Sequence, residues 1–396
     1  MLTTRYLWAT VHRKPGTGNP EHLHLYLHIP FCKQACHYCD FHFSTSMKNK
    51  EDMVNAIIAE IGMRKSELPS SPLETIYFGG GTPSLLSDSE LGRIFDAISS
   101  DFDIQNDAEI TLEANPDDLT AAKIKELRHS PVNRLSIGIQ SFRDSDLKLM
   151  NRAHNSDEAE RSVKISQDAG ITNITADLIY ALPRQSLNDW RENIHKLIAL
   201  DVPHLSSYCL TVEPKTALAK FVRDGKIRTV PDQVAADHFK VLTEETAKAG
   251  FEHYEISNFT KPGFIARHNS SYWKGEPYLG VGPSAHSYDG RSRRWNVSNN
   301  ISYLKSIFEK QPAWKEEILT DKERYNEFVM TGLRTKWGVN TDRVKLLFGD
   351  EFQKNLLSSA EEHIRNGNVT LENKVLLLTE SGKFLADGIA SDLFLV

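Results

Sequence analysis

At 396 residues the chain is two to three times the size of an ordinary domain, so one large unit with a smaller one is the first expectation. Hydrophobic residues make up 40% and charged residues 25%, and 47 Lys and Arg against 53 Asp and Glu give a net −6, which excludes gripping nucleic acid by bulk charge. No apolar run reaches the roughly 20 residues of a membrane-spanning helix, and Leu7–Val11 is too short for a signal segment, so a cytoplasmic protein with no transmembrane segment is expected.

Residues 1–21 carry Pro15, Gly16, Gly18 and Pro20 without a hydrophobic period and read as an irregular arm. Residues 22–259 then alternate short β-branched or apolar runs with longer amphipathic stretches, the pattern of βα units on a parallel sheet. Strands are expected at Leu23–Ile29, Thr75–Phe78, Glu109–Glu113, Arg134–Ile139, Asn173–Ile179 and His204–Leu210. Helices are expected at Asp52–Ser66, Asp88–Ser99, Thr120–His129, Asp157–Ala169, Leu187–Leu200 and Asp232–Ala249. Six units are too few to close an eightfold barrel. The expected class is α/β, a partial (β/α)6 TIM-like barrel, with a doubly wound sheet as its competitor.

Residues 260–310 are dense in Gly, Pro, Tyr, Trp, His and Ser and read as a long structured loop region, because so many aromatics require burial. Residues 311–396 hold helical patterns at Asp321–Arg334, Thr341–Leu347 and Phe352–Asn366. A hairpin over Val369–Leu378 and a terminal helix over Glu380–Leu393 complete a smaller α+β, winged-helix-like domain. The segment Asp342–Arg365 has no dense basic stripe, so no nucleic-acid partner is expected.

The four cysteines carry the chemistry. Cys32, Cys36 and Cys39 follow the first strand at C-x3-C-x2-C spacing, while Cys209 stands alone and reads as a core cysteine. Three thiolates on one loop leave one iron of a [4Fe-4S] cluster without a protein ligand, and that iron can chelate S-adenosylmethionine and deliver the electron that cleaves it. Zinc held by the three cysteines with His37 or His42, and plain core cysteines, are the competing readings. Gly79-Gly80-Gly81 follows the next strand, where glycines let backbone approach a ligand closely or simply turn. Glu113, Gln140 and Asp177 lie at successive strand ends, which converge on one mouth of a parallel barrel.

Tyr26-Leu27-His28-Ile29-Pro30-Phe31 leading into the cysteines, then Gly79–Pro83, Glu113–Pro116, Arg134–Phe142, Ala176–Pro183 and His204–Pro214, together resemble the radical S-adenosylmethionine family. The branch resembled holds oxygen-independent coproporphyrinogen III oxidase, HemN, and its relative the haem chaperone HemW. The resemblance implies that Cys32, Cys36 and Cys39 bind the cluster and that Tyr26 contacts S-adenosylmethionine beside it. It implies that Gly80, Gly81 and Thr82 line that cofactor, that Glu113 and Gln140 hydrogen-bond it, and that Arg152 and Asp177 complete the pocket. Tyr38 would offer the adenine region a backbone or ring contact.

Two departures separate the relatives. Phe41 stands where the oxidase pattern has a further cysteine, and His268-Asn269-Ser270-Ser271-Tyr272-Trp273 looks like the HNxxYW signature of the chaperones. The resemblance therefore implies a protein that binds haem and delivers it to haem-requiring, respiratory proteins, with an electron donor for the cluster. The alternative is oxidative decarboxylation of coproporphyrinogen III to protoporphyrinogen IX, which Phe41 disfavours; whether the chain is an enzyme stays open. A haem site needs an axial donor, flat aromatic walls and cations, and His268 and His286 are the candidate ligands.

Overall fold

The computed structural model describes residues 22–67 and 71–396; the expected arm over 1–21 lies outside them. Six strands, β1 (Leu23–Ile29), β2 (Leu73–Gly80), β3 (Ile104–Ala114), β4 (Arg134–Gln140), β5 (Ile174–Tyr180) and β6 (His204–Cys209), pair in parallel in chain order. A doubly wound sheet reverses its strand order at a switch point, and this one does not, so the winding is that of a barrel. The register holds the strand ends level: Ile29 faces Gly80, Ala114 faces Ile137, and Tyr180 faces Cys209. The loops that leave β1 to β6 therefore open on one mouth.

The helices that return each strand are capped as their sequences dictate. Ser87 and Glu90 form a reciprocal capping box, as do Asn155 with Glu158 and Ser186 with Asp189. One set of strand residues, including Leu25, Leu27, Ile76, Phe78, Leu112, Leu135 and Leu178, is fully buried in the main apolar core. The alternate residues are polar: Tyr26, Tyr77, Glu113, Arg134, Thr175, Asp177 and His204 surround an interior space of about 220 Å³. Period-two alternation thus sends apolar groups to one face of the sheet and a polar lining to the barrel interior.

Residues 260–310, expected as loop, are largely regular. β9 (Tyr278–Val281) joins the free edge of β1 in parallel, and β10 (His286–Tyr288), β11 (Ser292–Asn296) and β12 (Trp314–Ile318) extend the sheet antiparallel. At the opposite end β6 pairs with β8 (Asn258–Thr260), which pairs with β7 (Glu252–Glu255), so the sheet has 12 strands and stays open. Gly280 permits the β9–β10 turnback, because a Cβ there would sit 1.9 Å from the His286 carbonyl. Two short helices, Asp144–Leu149 and Ala217–Arg223, were not expected.

The C-terminal region packs helices Asp321–Leu333, Thr341–Phe348 and Asp350–Arg365 against a small antiparallel sheet of β13 (Val339–Asn340), β14 (Val369–Glu372) and β15 (Val375–Leu378) around its own apolar core. The β14–β15 hairpin turns on Asn373 and Lys374, both at positive φ, the geometry of a tight two-residue turn. The expected terminal helix is two helices, Glu380–Lys383 and Ala386–Asp392, and the break at Phe384 and Leu385 turns both side chains toward the barrel mouth.

Candidate functional site

The cysteine loop is held by hydrogen bonds from the protein's own backbone and side chains. Cys32 N donates to Ser44 O at 3.0 Å and Ser44 N to Pro30 O at 2.9 Å, which closes the base of the loop. Its far side leans on distant elements: His37 N donates to Met150 O at 3.0 Å, Asn151 Nδ2 to Ala35 O at 2.8 Å, and Leu218 N to His37 O at 2.8 Å. The two unexpected short helices supply or adjoin these props.

Cys32, Cys36 and Cys39 are half-buried free thiols on the wall of a cavity of about 1020 Å³ at the barrel mouth. The Thr82 hydroxyl donates to Cys32 Sγ at 3.4 Å, and Arg152 Nη1 donates to Cys36 Sγ at 3.3 Å. Burial pushes the Cys32 thiol up and the Cys39 thiol up to about 11, so a positive centre is needed to hold them as thiolates. Three thiols on one loop are the donor set an iron–sulfur cluster takes. Of the two histidines that could complete a zinc site, His37 Nδ1 is engaged by Leu149 O and His42 Nε2 by Asn300 Oδ1.

The glycine triplet serves the protein's own packing first. A Cβ at Gly81 would lie 2.6 Å from Phe31 O, and one at Gly80, whose φ is +105°, would lie 2.5 Å from the His28 ring. Small residues let this loop sit directly against the cysteine loop, where Gly81 N donates to Ile29 O at 2.9 Å. Gly80, Gly81 and Thr82 still face the cavity.

Tyr38, Glu113, Gln140, Arg152 and Asp177 line the same cavity. Glu113 accepts from Tyr77 OH at 2.7 Å and from Gly80 N at 3.2 Å, and burial raises its pKa. Asp177 is pushed up to about 7, by burial first and then by the neighbouring Glu113 charge. Gln140 sits at φ +67° beside an irregularity in the β4–β5 pairing, a strained conformation that aims its amide at the mouth. Arg152 links the end of β3 to β4: Nη2 donates to Asn115 Oδ1 at 2.6 Å and Gly138 O at 2.7 Å, and its Nε has no partner among the described residues. The Tyr38 ring packs on a small apolar cluster with Leu147, Met150 and Ile179.

Tyr26 is set apart from this cavity. Its ring stacks on Tyr77 in the barrel interior, and its hydroxyl donates to His28 Nδ1 at 3.1 Å while His28 Nε2 donates to His42 O at 2.8 Å. Asn115 is the residue that sequence reasoning underused: its Nδ2 donates to Thr82 Oγ1 at 3.2 Å, and its place straight after β3 was the available signal. Cys209, expected in the core, ends β6 half-buried, packed against the main apolar core and also facing the same cavity.

The two candidate haem ligands are in different surroundings. His268 is 1% exposed, with Nδ1 bonded to Thr75 Oγ1 at 2.6 Å and Nε2 to Tyr272 OH at 2.8 Å, so neither ring nitrogen is open. Its helix, Arg267–Lys274, is anchored by Glu109, which accepts from both Arg267 N and His268 N at 2.9 Å. His286 is exposed, and its ring stacks on Trp295 with centroids 5.8 Å apart.

A six-stranded parallel barrel core whose first loop presents three thiols at C-x3-C-x2-C spacing defines a radical S-adenosylmethionine protein. The model of the radical SAM superfamily matches residues 26–197, and that of the HemN C-terminal domain matches 319–385. The chain belongs to the haem chaperone HemW family. It is 34% identical to the heme chaperone HemW of Bacillus subtilis over 367 residues, covering 92% of this chain and 97% of that one. For the Lactococcus lactis heme chaperone HemW the identity is 35% over 373 residues, with 92% and 97% covered. For that of Escherichia coli it is 36% over 280 residues, with 69% and 72% covered. The solved structure of coproporphyrinogen III oxidase (HemN) from Escherichia coli superposes with a TM-score of 0.83 over 95% of this chain and 90% of that one; at 23% identity the likeness is one of fold.

Proposed function

We propose that this chain is a haem carrier of the cytoplasm, built on a radical S-adenosylmethionine core, that delivers haem to haem-requiring respiratory proteins. The observation that carries the reading is the similarity, over 92% of this chain, to proteins named as haem chaperones, which extends over 97% of two of them. The catalytic alternative, decarboxylation of coproporphyrinogen III, has less support, because Phe41 is 68% exposed and offers no thiol.

Cys32, Cys36 and Cys39 would hold a [4Fe-4S] cluster, and Gly80, Gly81, Thr82, Glu113, Gln140, Arg152 and Asp177 would enclose S-adenosylmethionine beside it. A cluster held by these three cysteines would supply single-electron chemistry to the sulfonium, given an external electron donor. The chain's own groups prepare the place. Thr82 and Arg152 donate hydrogen bonds that stabilise negative charge on Cys32 and Cys36. Arg152 spans Cys36, Asn115 and Gly138, so one rigid fork fixes the loop relative to β3 and β4. Glu113 spends both oxygens on Tyr77 and Gly80 and thereby sets the glycine turn. Tyr26 acts as a positioning residue through His28, which holds the backbone at His42.

Anaerobic reconstitution followed by parallel assays tests the reading. Stable haem binding, with no porphyrinogen turnover when S-adenosylmethionine, a reductant and coproporphyrinogen III are supplied, is expected. Formation of protoporphyrinogen IX with methionine and 5′-deoxyadenosine release would overturn it.

A further inference from the structure

A second cavity, of about 730 Å³, lies between the β9–β11 edge of the sheet and the C-terminal helices Asp321–Leu333 and Thr341–Phe348. Its volume falls in the range of about 300–1,000 Å³ typical of small-molecule sites. It is distinct from the cysteine cavity, and Asp40 and Phe41 at the end of the cysteine loop line both. The walls are aromatic, with Tyr272, Tyr278 and Tyr288 from the sheet side and Phe328 and Phe348 from the C-terminal helices.

The cavity's charges are unequally matched. Glu327 pairs with Arg293 at 2.9 Å, Glu276 with His24 at 3.0 Å, and Arg324 with Asp321 at 3.0 Å. Arg343, exposed at the cavity rim, makes no direct ion pair among the described residues, although the charge of Glu276 acts on it, and its guanidinium lies over the Phe328 ring, 5.3 Å from the centroid. A cation free of a direct ion pair over an aromatic wall suits an anionic ligand with a flat apolar body. His286 stands on the opposite wall, held by its stack on Trp295, with neither ring nitrogen hydrogen-bonded to a described residue. Although exposed on one side, the ring is partly desolvated by the cavity wall, and that and the Arg293 charge lower its pKa, which keeps a lone pair available at neutral pH.

Resting on the haem-carrier reading, we propose that haem is carried in this cavity, with His286 as an axial ligand to the iron and Arg343 pairing a propionate. The aromatic walls would cover the macrocycle, while His268 and the rest of its buried network shape the cavity from behind without touching iron. Cargo and S-adenosylmethionine would then occupy separate spaces, with Phe41 at their border.

Spectroscopic haem titration of the full-length chain tests this. His286→Ala is expected to shift the Soret band, weaken binding by roughly tenfold or more, and recover its spectrum when free imidazole is added. Arg343→Ala is expected to weaken haem binding while leaving the binding of haem dimethyl ester, which has no propionate charge, as in the unaltered chain. Thr331→Trp, a substitution on a cavity-lining helix, should block both ligands. If the unaltered chain binds haem and all three variants titrate identically to it, the site is wrong and the carrier reading survives. If the unaltered chain binds no haem, both fall.

Discussion

Arg152 donates to the Cys36 sulfur at 3.3 Å from the far side of the barrel mouth, and the same guanidinium reaches Asn115, whose amide reaches Thr82, whose hydroxyl reaches the Cys32 sulfur. Two of the three thiols are thus tied together by one chain of side chains drawn from four loops. Loss of Arg152 acts on both sulfurs at once.

Arg152→Ala is expected to lower iron retention against a chelator by about 10–100-fold, the usual scale for groups that orient metal ligands. It should also cost ~1–3 kcal/mol of folding stability, because Asn115 and Gly138 lose a buried donor. Arg152→Lys should recover little, since an ammonium cannot span the three acceptors. Iron and sulfide analysis with denaturant titration checks both effects.

Cys36→Ser should abolish most iron incorporation, whereas Cys209→Ser, although on the same cavity wall, should leave it unchanged. Far-UV circular dichroism should be the same for both, because the main core of β1 to β6 and its helices is complete without the cysteine loop. Equal iron loss in both variants would count against a three-cysteine site.

His268→Ala should destabilise the fold by about 2 kcal/mol while leaving the haem spectrum unaltered, because the ring bridges Thr75 and Tyr272 inside the barrel wall. A haem spectrum that changes with this variant, and not with His286→Ala, would reverse the assignment.

The apolar or β-branched runs of β1 to β6 are legible in the sequence, and β2, β3 and β5 are followed by helices with clear caps at Ser87, Thr120 and Ser186, although β3 begins five residues before its expected start. Sequence reading missed β9 to β12 for a physical reason. Those strands are three to five residues long, β12 reads Trp-Lys-Glu-Glu-Ile, and their pairing is dictated by the edge of β1 rather than by local pattern. The cysteine cavity was legible from spacing, since consecutive strand ends must meet. The second cavity was legible on one wall only, where the aromatic segment that holds Tyr272 and His286 stood out; Arg324 and Arg343 join it only through the packing of the C-terminal helices on the sheet edge.

Stability should depend on pH through two opposing sets of buried groups. His28, His154 and His253 are lowered to about 4 by burial, so they stay neutral when folded and protonate when unfolded; stability is full above pH 6.5 and falls as pH drops toward 4. Asp177 works the other way. Its folded pKa of about 7 exceeds its unfolded value, so its contribution is greatest below about pH 4 and is lost as pH rises to 7. Asp177→Asn should therefore raise stability at pH 8 relative to pH 4 by on the order of 2 kcal/mol, less than full burial would give because the carboxyl faces an open cavity. Denaturant midpoints measured across this range for both proteins check the sign.

As proposed, the chain gives haem away rather than transforming a porphyrin. Haem-loaded, cluster-reconstituted protein mixed with an excess of a haem-free acceptor protein, followed by separation and absorbance of each component, measures this directly. Haem is expected to appear on the acceptor faster than it is released to buffer, with no accumulation of a porphyrin product. Haem that stays on the chain, or that reaches the acceptor only at the rate of free dissociation, would contradict that proposal.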